Sequence, residues 1–241
     1  MSLRRGPAAV PLAENAWRIP TAPFSGTNSF AFVGDDGQVT LVDAGLSFAP
    51  PRIVAGLAVF GKHPKDVTRI VLTHTHADHA GGVAKVAAQT GAPVAVHAED
   101  AGYARRGVVP PTNRATTAGR LFARFGATRF DRVDVAQELQ DGDELDVAGG
   151  LRVVHTPGHT PGHVSLLHPR SGVLVTGDSI MNVLGLRWAP KPLCTDPRLS
   201  QATADRLADL DYRVAAFTHG PHVADRARDR VRAFLSRARR I

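Results

Sequence analysis

Residues 69–82 have the sequence RIVLTHTHADHAGG, and this stretch decides the arrangement we expect for the rest of the chain. Its first five residues are mostly apolar or β-branched, a pattern typical of a buried strand. Four residues that can bind a metal follow within six positions: His74, His76, Asp78 and His79. Imidazole and carboxylate groups suit zinc, iron or manganese, and a rigid strand end fixes their geometry. The two glycines allow a tight turn, so the stretch predicts a metal site where a strand meets a helix.

Three other strands are predicted to end in residues that can bind a metal. Apolar runs precede His159, Asp178 and His219, as one precedes the histidine-rich stretch. His159 lies in the segment TPGHTPGH (156–163), where prolines and glycines favour a tight loop that can aim a side chain. His163 in the same segment is an alternative ligand. Four strand ends with such groups indicate one site assembled from distant parts of the chain.

Asp43 follows a predicted strand at 38–42 and precedes an Ala-Gly pair. Metal-binding histidines usually donate their second ring N–H to a carboxylate or a carbonyl, so Asp43 is a candidate for that partner. An ordinary turn or helix-capping aspartate explains the residue equally well. The residue alone does not distinguish these two roles.

The remaining pattern alternates short strands with helices. Strands are predicted at 16–19, 29–33, 38–42, 93–97, 151–155, 164–167, 172–176 and 215–218. The sequence Asp35-Asp36-Gly37 is typical of a hairpin turn. Helices are predicted at 50–60, at 80–89 and from Pro221 onward, where proline suits a first helical position. Because no linker separates two units, we expect a single domain over residues 1–241.

Residues 98–130 interrupt this alternation and form a predicted helical, cap-like insertion. Pro110-Pro111 splits it into a short helix and a second helix at about 113–125. The insertion contains arginines at 105, 106, 114, 120 and 124. Its apolar residues, which could anchor it, are Tyr103, Leu121, Phe122 and Phe125. The insertion could cap an active site, or it could be a surface helix pair. Likewise, the apolar, proline-rich segment 181–197 could form a pocket mouth or pack at the edge of the core.

Composition excludes several classes of protein. With 43% hydrophobic residues in 241, the chain can bury a sizeable core. It has one cysteine, Cys194, which excludes an intrachain disulfide and fits a reducing cytoplasm; we interpret it as a small buried hydrophobe. The N-terminus does not resemble a signal peptide, and no run approaches the roughly 18 apolar residues of a membrane span. We therefore expect a cytoplasmic protein without membrane association.

The net charge of +7 is concentrated in the C-terminal tail. Residues 225–241 hold seven arginines and two aspartates. Such a tail can bind nucleic acid, but a solvated helix face accounts for it more simply, since cations suit the C-terminal end of a helix. We do not expect nucleic acid to be the main partner.

These residues resemble the metallo-beta-lactamase superfamily over nearly the whole chain. The resemblance rests on His74-x-His76-x-Asp78-His79, His159 within Thr-Pro-Gly-His-Thr, Gly177-Asp178, His219-Gly220 and the early Asp43. It implies an α/β fold, a four-layer αββα sandwich of two mixed β-sheets, with metals at one rim. It implies one metal held by His74, His76 and His159, a second held by Asp78, His79 and His219, and Asp178 bridging them. In related hydrolases the first histidine of the Pro-Gly-His pair is the ligand, so His163 would pack or orient the loop.

The resemblance implies a metal-dependent hydrolase with two divalent ions, for which we expect zinc, with iron or manganese as alternatives. The catalytic residues would be Asp78 and Asp178. A hydroxide that bridges the metals would attack the carbonyl of a carboxylic ester, lactone or thioester, and the oxyanion would be stabilised by a metal. Asp78 or a metal-bound water would pass a proton to the leaving group. The expected partner is a small-molecule acyl substrate, and the sequence is compatible with a homodimer.

The subfamily is left open. The run TPGHTPGH looks like that of hydroxyacylglutathione thioesterases, which carry a further helical region after the last ligand, whereas 22 residues follow His219 here. Lactonases share all seven ligands, but this chain has Ser179-Ile180-Met181-Asn182 where they have an active-site tyrosine. The bridging Asp178 argues against β-lactamase activity. A nucleic-acid-processing phosphodiesterase and an iron-dependent oxidoreductase on the same fold are the alternatives.

Overall fold

Two mixed β-sheets form the centre of the structure, a computed structural model that describes residues 6–23, 26–113, 115, 117–126, 128–146 and 149–238. Within those ranges the first sheet has seven strands in sequence order, antiparallel up to the fourth and parallel from the fourth to the seventh. They are β1 (Val10–Ala13), β2 (Ala16–Pro20), β3 (Asn28–Val33), β4 (Val39–Val42), β5 (Val67–Val71), β6 (Val94–His97) and β7 (Val135–Leu139).

The second sheet has five strands over the same described ranges, in the order β14-β11-β10-β9-β8. The strands of this sheet and of a small separate hairpin, β12–β13, are β8 (Glu144–Leu145), β9 (Leu151–His155), β10 (Val164–His168), β11 (Val173–Val175), β12 (Met181–Asn182), β13 (Leu186–Arg187) and β14 (Val214–Ala216). β14 and β11 are parallel and the other pairs are antiparallel. Strands β9, β11 and β14 each lead directly into a segment that carries a predicted ligand.

The helices of the described ranges are α1 (Pro50–Val59), α2 (Ala77–Ala80), α3 (Val83–Thr90), α4 (Ala98–Arg106), α5 (Thr117–Phe125), α6 (Pro197–Ala204) and α7 (Ala227–Ala238). Helices α1, α3 and α4 pack on the outer face of the first sheet, and α6 and α7 pack on that of the second. Short 3-10 turns occur at Pro64–Asp66, Gly177–Ser179, Lys191–Leu193 and Asp205–Ala208. Among the described residues, no helix has the length and apolar character needed to span a membrane.

Alternation along the strands produces three apolar layers. In β3, Phe30 and Phe32 point into the core between the sheets, where they meet Val153 and Leu166 of the second sheet. The intervening Ala31 points the other way, into the core under α1 and α3. This two-residue period is what a strand imposes on its side chains. The outer face of the second sheet packs on α6 and α7, so the predicted αββα sandwich is confirmed.

The helix predicted at 80–89 is α3, which begins at Val83 because Gly81 and Gly82 separate it from the short helix α2. A Cβ on Gly82 would lie 2.3 Å from the carbonyl oxygen of Ala44, and one on Gly81 would lie 2.9 Å from the backbone nitrogen of Ser47. Only glycine permits this approach of the two backbones. The glycine pair therefore brings the histidine-rich loop against the loop that follows β4. Gly91, predicted as the cap, does end α3 in the left-handed conformation (φ 72°).

The C-terminal helix begins at Ala227, so its predicted start at Pro221 is wrong. Val223 instead pairs with Ala215 of β14 through two backbone hydrogen bonds of 2.9 and 2.8 Å, and an extended residue cannot belong to a helix. Two arginines of α7 contact residues of the adjacent surface. The guanidinium of Arg228 lies 3.5 Å from the carboxylate of Asp211, and Arg232 donates to the carbonyl of Ala208. These contacts favour a solvated helix face. The side chain of Ala238 and residues 239–241, which include two of the seven arginines of the tail, lie outside the described residues.

The two segments expected to shape a pocket contact each other. Asn113 donates to the carbonyl of Cys194, and Thr195 donates to the carbonyl of Pro111, each at 2.7 Å. The first helix of the 98–130 segment, α4, packs its small residues Ala101 and Ala104 into the core beneath the first sheet. Arg114 and the side chains of Phe122 and Phe125 lie outside the described residues. A cap over the site stays a prediction for the part of the segment that follows α4.

Candidate metal centre

The histidine-rich loop leaves the carboxyl end of β5 and enters α2 at His76. His74 and His79 are completely buried, whereas His76 is 8% exposed. The side chain of Asp78, in the first turn of α2, is 35% exposed. The strand end thus fixes two histidines, and the short helix turns the next two potential ligands towards the same space.

All seven predicted ligands converge on this space. His159 comes from the loop after β9, Asp178 from the 3-10 turn after β11 and His219 from the residues after β14. Their ligand atoms form three overlapping groups, within each of which the atoms lie at most 4.8 Å apart: His74, His76 and His159; His74, His79 and Asp178; and Asp78, His79 and His219. We call the first group the three-histidine cluster and the last the carboxylate cluster. The groups are consistent with a dinuclear metal site.

Asp178 lies between the two clusters and is almost entirely buried. Its Oδ2 is 3.3 Å from Nε2 of His159, in the three-histidine cluster. The same oxygen is 3.3 Å from Nε2 of His219, and Oδ1 is 3.6 Å from Nε2 of His79. One carboxylate therefore faces both clusters.

The residues present fit a pair of cations. Nε2 of His74 and Nε2 of His79 are buried without a hydrogen-bond partner among the described residues. Nδ1 of His76 and Nε2 of His159 point at each other across 2.9 Å. Buried polar atoms normally have partners, and a nitrogen left without one costs free energy. Imidazole nitrogens that share a pocket with two carboxylates are typical metal donors.

Electrostatics differ between the clusters. Burial lowers the pKa of His76 to about 4 and that of His74 and His159 well below the usual value, so these rings are neutral, which is the form that binds metals. Burial also opposes protonation of His219, but the charge of Asp178 and hydrogen bonds to Asp178 and Asp78 outweigh it and raise its pKa to about 10. The carboxylate cluster thus attracts positive charge.

Asp43 orients the ring of His79, and the Thr73 hydroxyl lies 3.1 Å from Nδ1 of His74. Asp43 Oδ2 lies 3.0 Å from Nδ1 of His79 and accepts a 2.7 Å hydrogen bond from the Thr73 hydroxyl. Since Nδ1 of His79 faces Asp43, its Nε2 faces the cluster and would be the atom that binds an ion. Asp43 also adopts a left-handed backbone conformation (φ 59°), which is costly for a residue with a Cβ. Of the two roles considered for Asp43, the geometry supports the bracing of a histidine.

His163 lies behind Asp178. The backbone N–H of Asp178 donates to Nε2 of His163 at 2.8 Å, and Nδ1 of His163 donates to the carbonyl of Thr156 at 3.0 Å. A Cβ on Gly177 would lie 2.4 Å from that Nε2, so a glycine is needed there. Both ring nitrogens are engaged, which favours His159 over His163 as the ligand from this loop.

A second set of contacts, which the sequence analysis missed, fixes the segment that carries His219. Asn28 Nδ2 donates to the carbonyls of Phe217 (2.9 Å) and Gly220 (2.8 Å). The Arg18 guanidinium also donates to the carbonyl of Gly220. Burial lowers the pKa of this guanidinium. The Thr218 hydroxyl donates to Oδ1 of Asp178 at 2.6 Å. No local signal marks Asn28 or Arg18, because their role depends on which strand lies next to the last ligand.

Cys194 is 2% exposed, and its sulfur lies 3.5 Å from Nδ1 of His159. Burial raises the pKa of the thiol to about 12, so the thiol is neutral and weakly nucleophilic. This agrees with its interpretation as a buried hydrophobe. Five other histidines do not join the clusters found among the described residues; they are His63, His97, His155, His168 and His222.

The four-layer sandwich and the paired His/Asp clusters at its strand ends define a metallo-hydrolase type of protein. Residues 22–219 match the family profile described as the metallo-beta-lactamase superfamily, and the chain belongs to this superfamily. Together, the family and the clusters identify it as a metal-dependent hydrolase.

Relatives show how far the similarity extends. The uncharacterized protein YobT of Bacillus subtilis (strain 168) is 25% identical over 236 residues, which cover 94% of this chain and 97% of YobT. A hydroxyacylglutathione hydrolase of Cereibacter sphaeroides is 33% identical over 158 residues, 64% of this chain and 49% of the enzyme, so the match spans about half of that enzyme's length. A metallo-beta-lactamase family protein from Thermus thermophilus superposes with a TM-score of 0.72 at 29% identity, covering 95% of this chain and 81% of that protein.

Proposed function

We propose that the chain hydrolyses a carboxylic ester, a lactone or a thioester at a dinuclear metal centre. The ligands of the first ion would be His74, His76 and His159; those of the second would be Asp78, His79 and His219; Asp178 would bridge. Zinc suits this imidazole-rich donor set, and iron and manganese are the alternatives.

The observation that carries the proposal is the position of Asp178. Its Oδ2 is equally distant, at 3.3 Å, from a histidine nitrogen of each cluster. A carboxylate has two oxygens and can bind two cations at once. The hydrogen bonds from Thr218 and to His163 hold this carboxylate in place. A single-ion site would not require a fixed, buried carboxylate between two sets of ligands.

The two carboxylates have different surroundings and would have different roles. Two divalent cations, when bound, would supply a hydroxide nucleophile at neutral pH and positive charge for the developing oxyanion. Asp178 is 4% exposed and therefore serves to hold the centre together. Asp78 is 35% exposed at the same centre, so it can reach substrate and water. We assign Asp78 the transfer of a proton towards the leaving group.

An acyl substrate is favoured by the surfaces that adjoin the centre. The β12–β13 hairpin is joined to the His219 segment by the hydrogen bond from the Asn182 N–H to the His219 carbonyl, at 2.9 Å. At its tip, Val183 and Leu184 are 41% and 95% exposed. Leu186 packs on the α7 side instead. Exposed apolar residues beside a metal centre suit an acyl group better than a polar phosphodiester. The similarity to a hydroxyacylglutathione hydrolase supports acyl chemistry as well.

The test combines metal analysis with a substrate panel of lactones, thioesters, carboxylic esters, phosphodiesters and β-lactams. We expect two ions per chain and turnover among the first three classes. Asp178→Ala should lose two-ion occupancy and activity, whereas Asp35→Ala, which removes an exposed carboxylate paired with Arg170, should change neither. Full metal content and activity in Asp178→Ala would overturn the proposal. One iron per chain would indicate the oxidoreductase, and turnover of phosphodiesters alone would indicate nucleic-acid processing.

A further inference from the structure

Asp100 is a completely buried carboxylate near the start of α4, outside the predicted ligand set. Its Oδ2 accepts hydrogen bonds of 2.9 Å from the Thr75 N–H, the Thr75 hydroxyl and the Thr160 hydroxyl. Its Oδ1 accepts a 2.7 Å hydrogen bond from the Gly162 N–H. One side chain therefore binds four donors in two separate loops.

The positions of these donors connect Asp100 to the three-histidine cluster. Thr75 lies between His74 and His76, and Thr160 directly follows His159. The histidine-rich loop belongs to the first sheet, whereas the loop with His159 follows β9 of the second sheet. The carboxylate thus binds both loops on the side away from the ligand rings. In front of it, Nδ1 of His76 lies 2.9 Å from Nε2 of His159.

The surrounding chain is shaped for this contact. A Cβ on Gly162 would lie 2.5 Å from the backbone nitrogen of Asp100 and 2.8 Å from its Cβ, so only glycine lets the loop approach α4. Ala101 and Ala104 anchor α4 in the core, which gives the carboxylate a rigid base. Burial raises the pKa of Asp100, but the four hydrogen bonds oppose this shift. Both backbone partners can only donate, so they suit the ionised, accepting form.

We propose that Asp100 is a positioning residue that holds the His74–His76 pair and His159 at the spacing required by the first metal ion. This inference rests on the proposed dinuclear centre. Among the described residues, the hydrogen bonds of Asp100 go to Thr75, Thr160 and Gly162 and not to a ligand side chain or to the carboxylate cluster. Its loss should therefore weaken one of the two ion sites and leave the other unchanged.

The test is a cobalt(II) titration of the metal-depleted full chain, followed by visible absorption and by competition with a chelator. Asp100→Asn keeps the size of the side chain, but its amide N–H₂ would face groups of Thr75, Thr160 or Gly162 that donate hydrogen bonds to the natural carboxylate. We expect this variant to bind the ion of the three-histidine cluster about 10- to 100-fold more weakly, the range typical when a residue that orients ligands is lost. The affinity of the carboxylate cluster should be unchanged.

Two single variants, used as starting proteins, show which cluster each cobalt affinity belongs to. In His219→Ala, which impairs the carboxylate cluster, adding Asp100→Asn should weaken cobalt binding; in His76→Ala, which impairs the three-histidine cluster, it should have no effect. Val231→Ala leaves a cavity under the buried face of α7. This variant is the control for a general loss of stability. If Asp100→Asn does not fold, Thr160→Val removes one of the four donors and should shift binding in the same direction by a smaller factor.

The outcomes separate this inference from the proposed function. If the natural chain binds fewer than two ions, the dinuclear centre itself is wrong. If it binds two, and Asp100→Asn and Thr160→Val bind both with unchanged affinity, the positioning role is wrong. An equal loss at both clusters, or the same loss in Val231→Ala, would show only a structural contribution and would also overturn the inference.

Discussion

The three-histidine cluster and the carboxylate cluster share a pocket but present opposite chemistry. His74, His76 and His159 are buried, and burial lowers their pKa values. In the carboxylate cluster, burial would lower the pKa of His219, but Asp178 between the clusters and Asp78 outweigh it and raise that pKa to about 10. The first cluster is therefore a set of neutral donors with little access to water, and the second is a partly exposed site where carboxylates hold protons on the neighbouring histidines. This difference suits one ion to a holding role and the other to contact with substrate.

The largest expected effect comes from Asp78, whose carboxylate distinguishes the exposed cluster. Asp78→Asn removes the proton-transfer group and weakens one ligand. We expect kcat to fall by roughly 10²- to 10⁴-fold, the range for loss of a general acid or base, with a smaller change in KM. Steady-state kinetics at measured metal content would check this. The Asp35→Ala control should retain the natural rate, and a change in KM alone would contradict the assignment.

The second effect is the pH dependence of stability in the metal-depleted chain. The pKa of His76 is lowered to about 4, so its neutral form favours folding, and this stability is lost as pH falls from 6.5 towards 4. The pKa of His219 is raised to about 10, so its stabilisation is present below pH 6.5 and is lost as pH rises towards 10. Urea unfolding with a chelator should therefore show greatest stability near pH 6.5.

Two variants sharpen that profile. His76→Gln should reduce the slope of its acid limb, to which His74 and His159 also contribute, and His219→Gln the slope of its alkaline limb, while the other limb is kept in each case. If both variants retain the slopes of the natural chain, the opposite electrostatics of the clusters would be contradicted.

A smaller effect is expected from Asn28, which fixes the His219 segment as Asp100 fixes the His159 loop. Asn28→Ala leaves the carbonyls of Phe217 and Gly220 without one donor and should cost about 1–3 kcal/mol of unfolding free energy. It should also weaken metal binding at the carboxylate cluster but not at the three-histidine cluster. Denaturant unfolding and cobalt titration would measure both. A loss confined to the three-histidine cluster would reverse the comparison.

The smallest effect is expected at Cys194, beside the three-histidine cluster. Because burial raises the pKa of the thiol to about 12, alkylation by iodoacetamide at pH 8 should be far slower than for a free thiol. Cys194→Ala should keep kcat/KM within about threefold, as expected for a packing residue. Rapid alkylation of the native chain, or loss of turnover at full metal content, would show that the thiol takes part in catalysis.

The sequence predicted the parts of the molecule that depend on local pattern. The convergence of the candidate ligand groups at four strand ends could be predicted, because each follows an apolar strand and imidazole and carboxylate groups have a recognisable chemistry. Metal binding by these residues stays a prediction. The αββα fold followed from the family resemblance that these residues carry. Alternation also placed β2, β3 and β4 to within a residue or two.

What remained hidden depends on contacts between distant segments. Asp100 and Asn28 look like ordinary polar residues until the loops beside them are known. Pro221 is well suited to begin a helix, but the pairing of Val223 with Ala215 outweighs that local preference. The break at Gly81-Gly82 arises from the approach of the loop after β4. Tertiary contacts thus decided the helix limits and the residues that support the ligands.

Each cluster takes residues from both sheets: His74 and His76 follow β5 in the first sheet, and His159 follows β9 in the second. A bound ion would therefore act as a cross-link between the two halves of the sandwich, in a chain whose single cysteine cannot form one. Metal binding would then add to the free energy of folding. The ligands meet only in the native state, so the ion binds only that state. Loss of metal would loosen the seam between the sheets at the edge where catalysis is proposed.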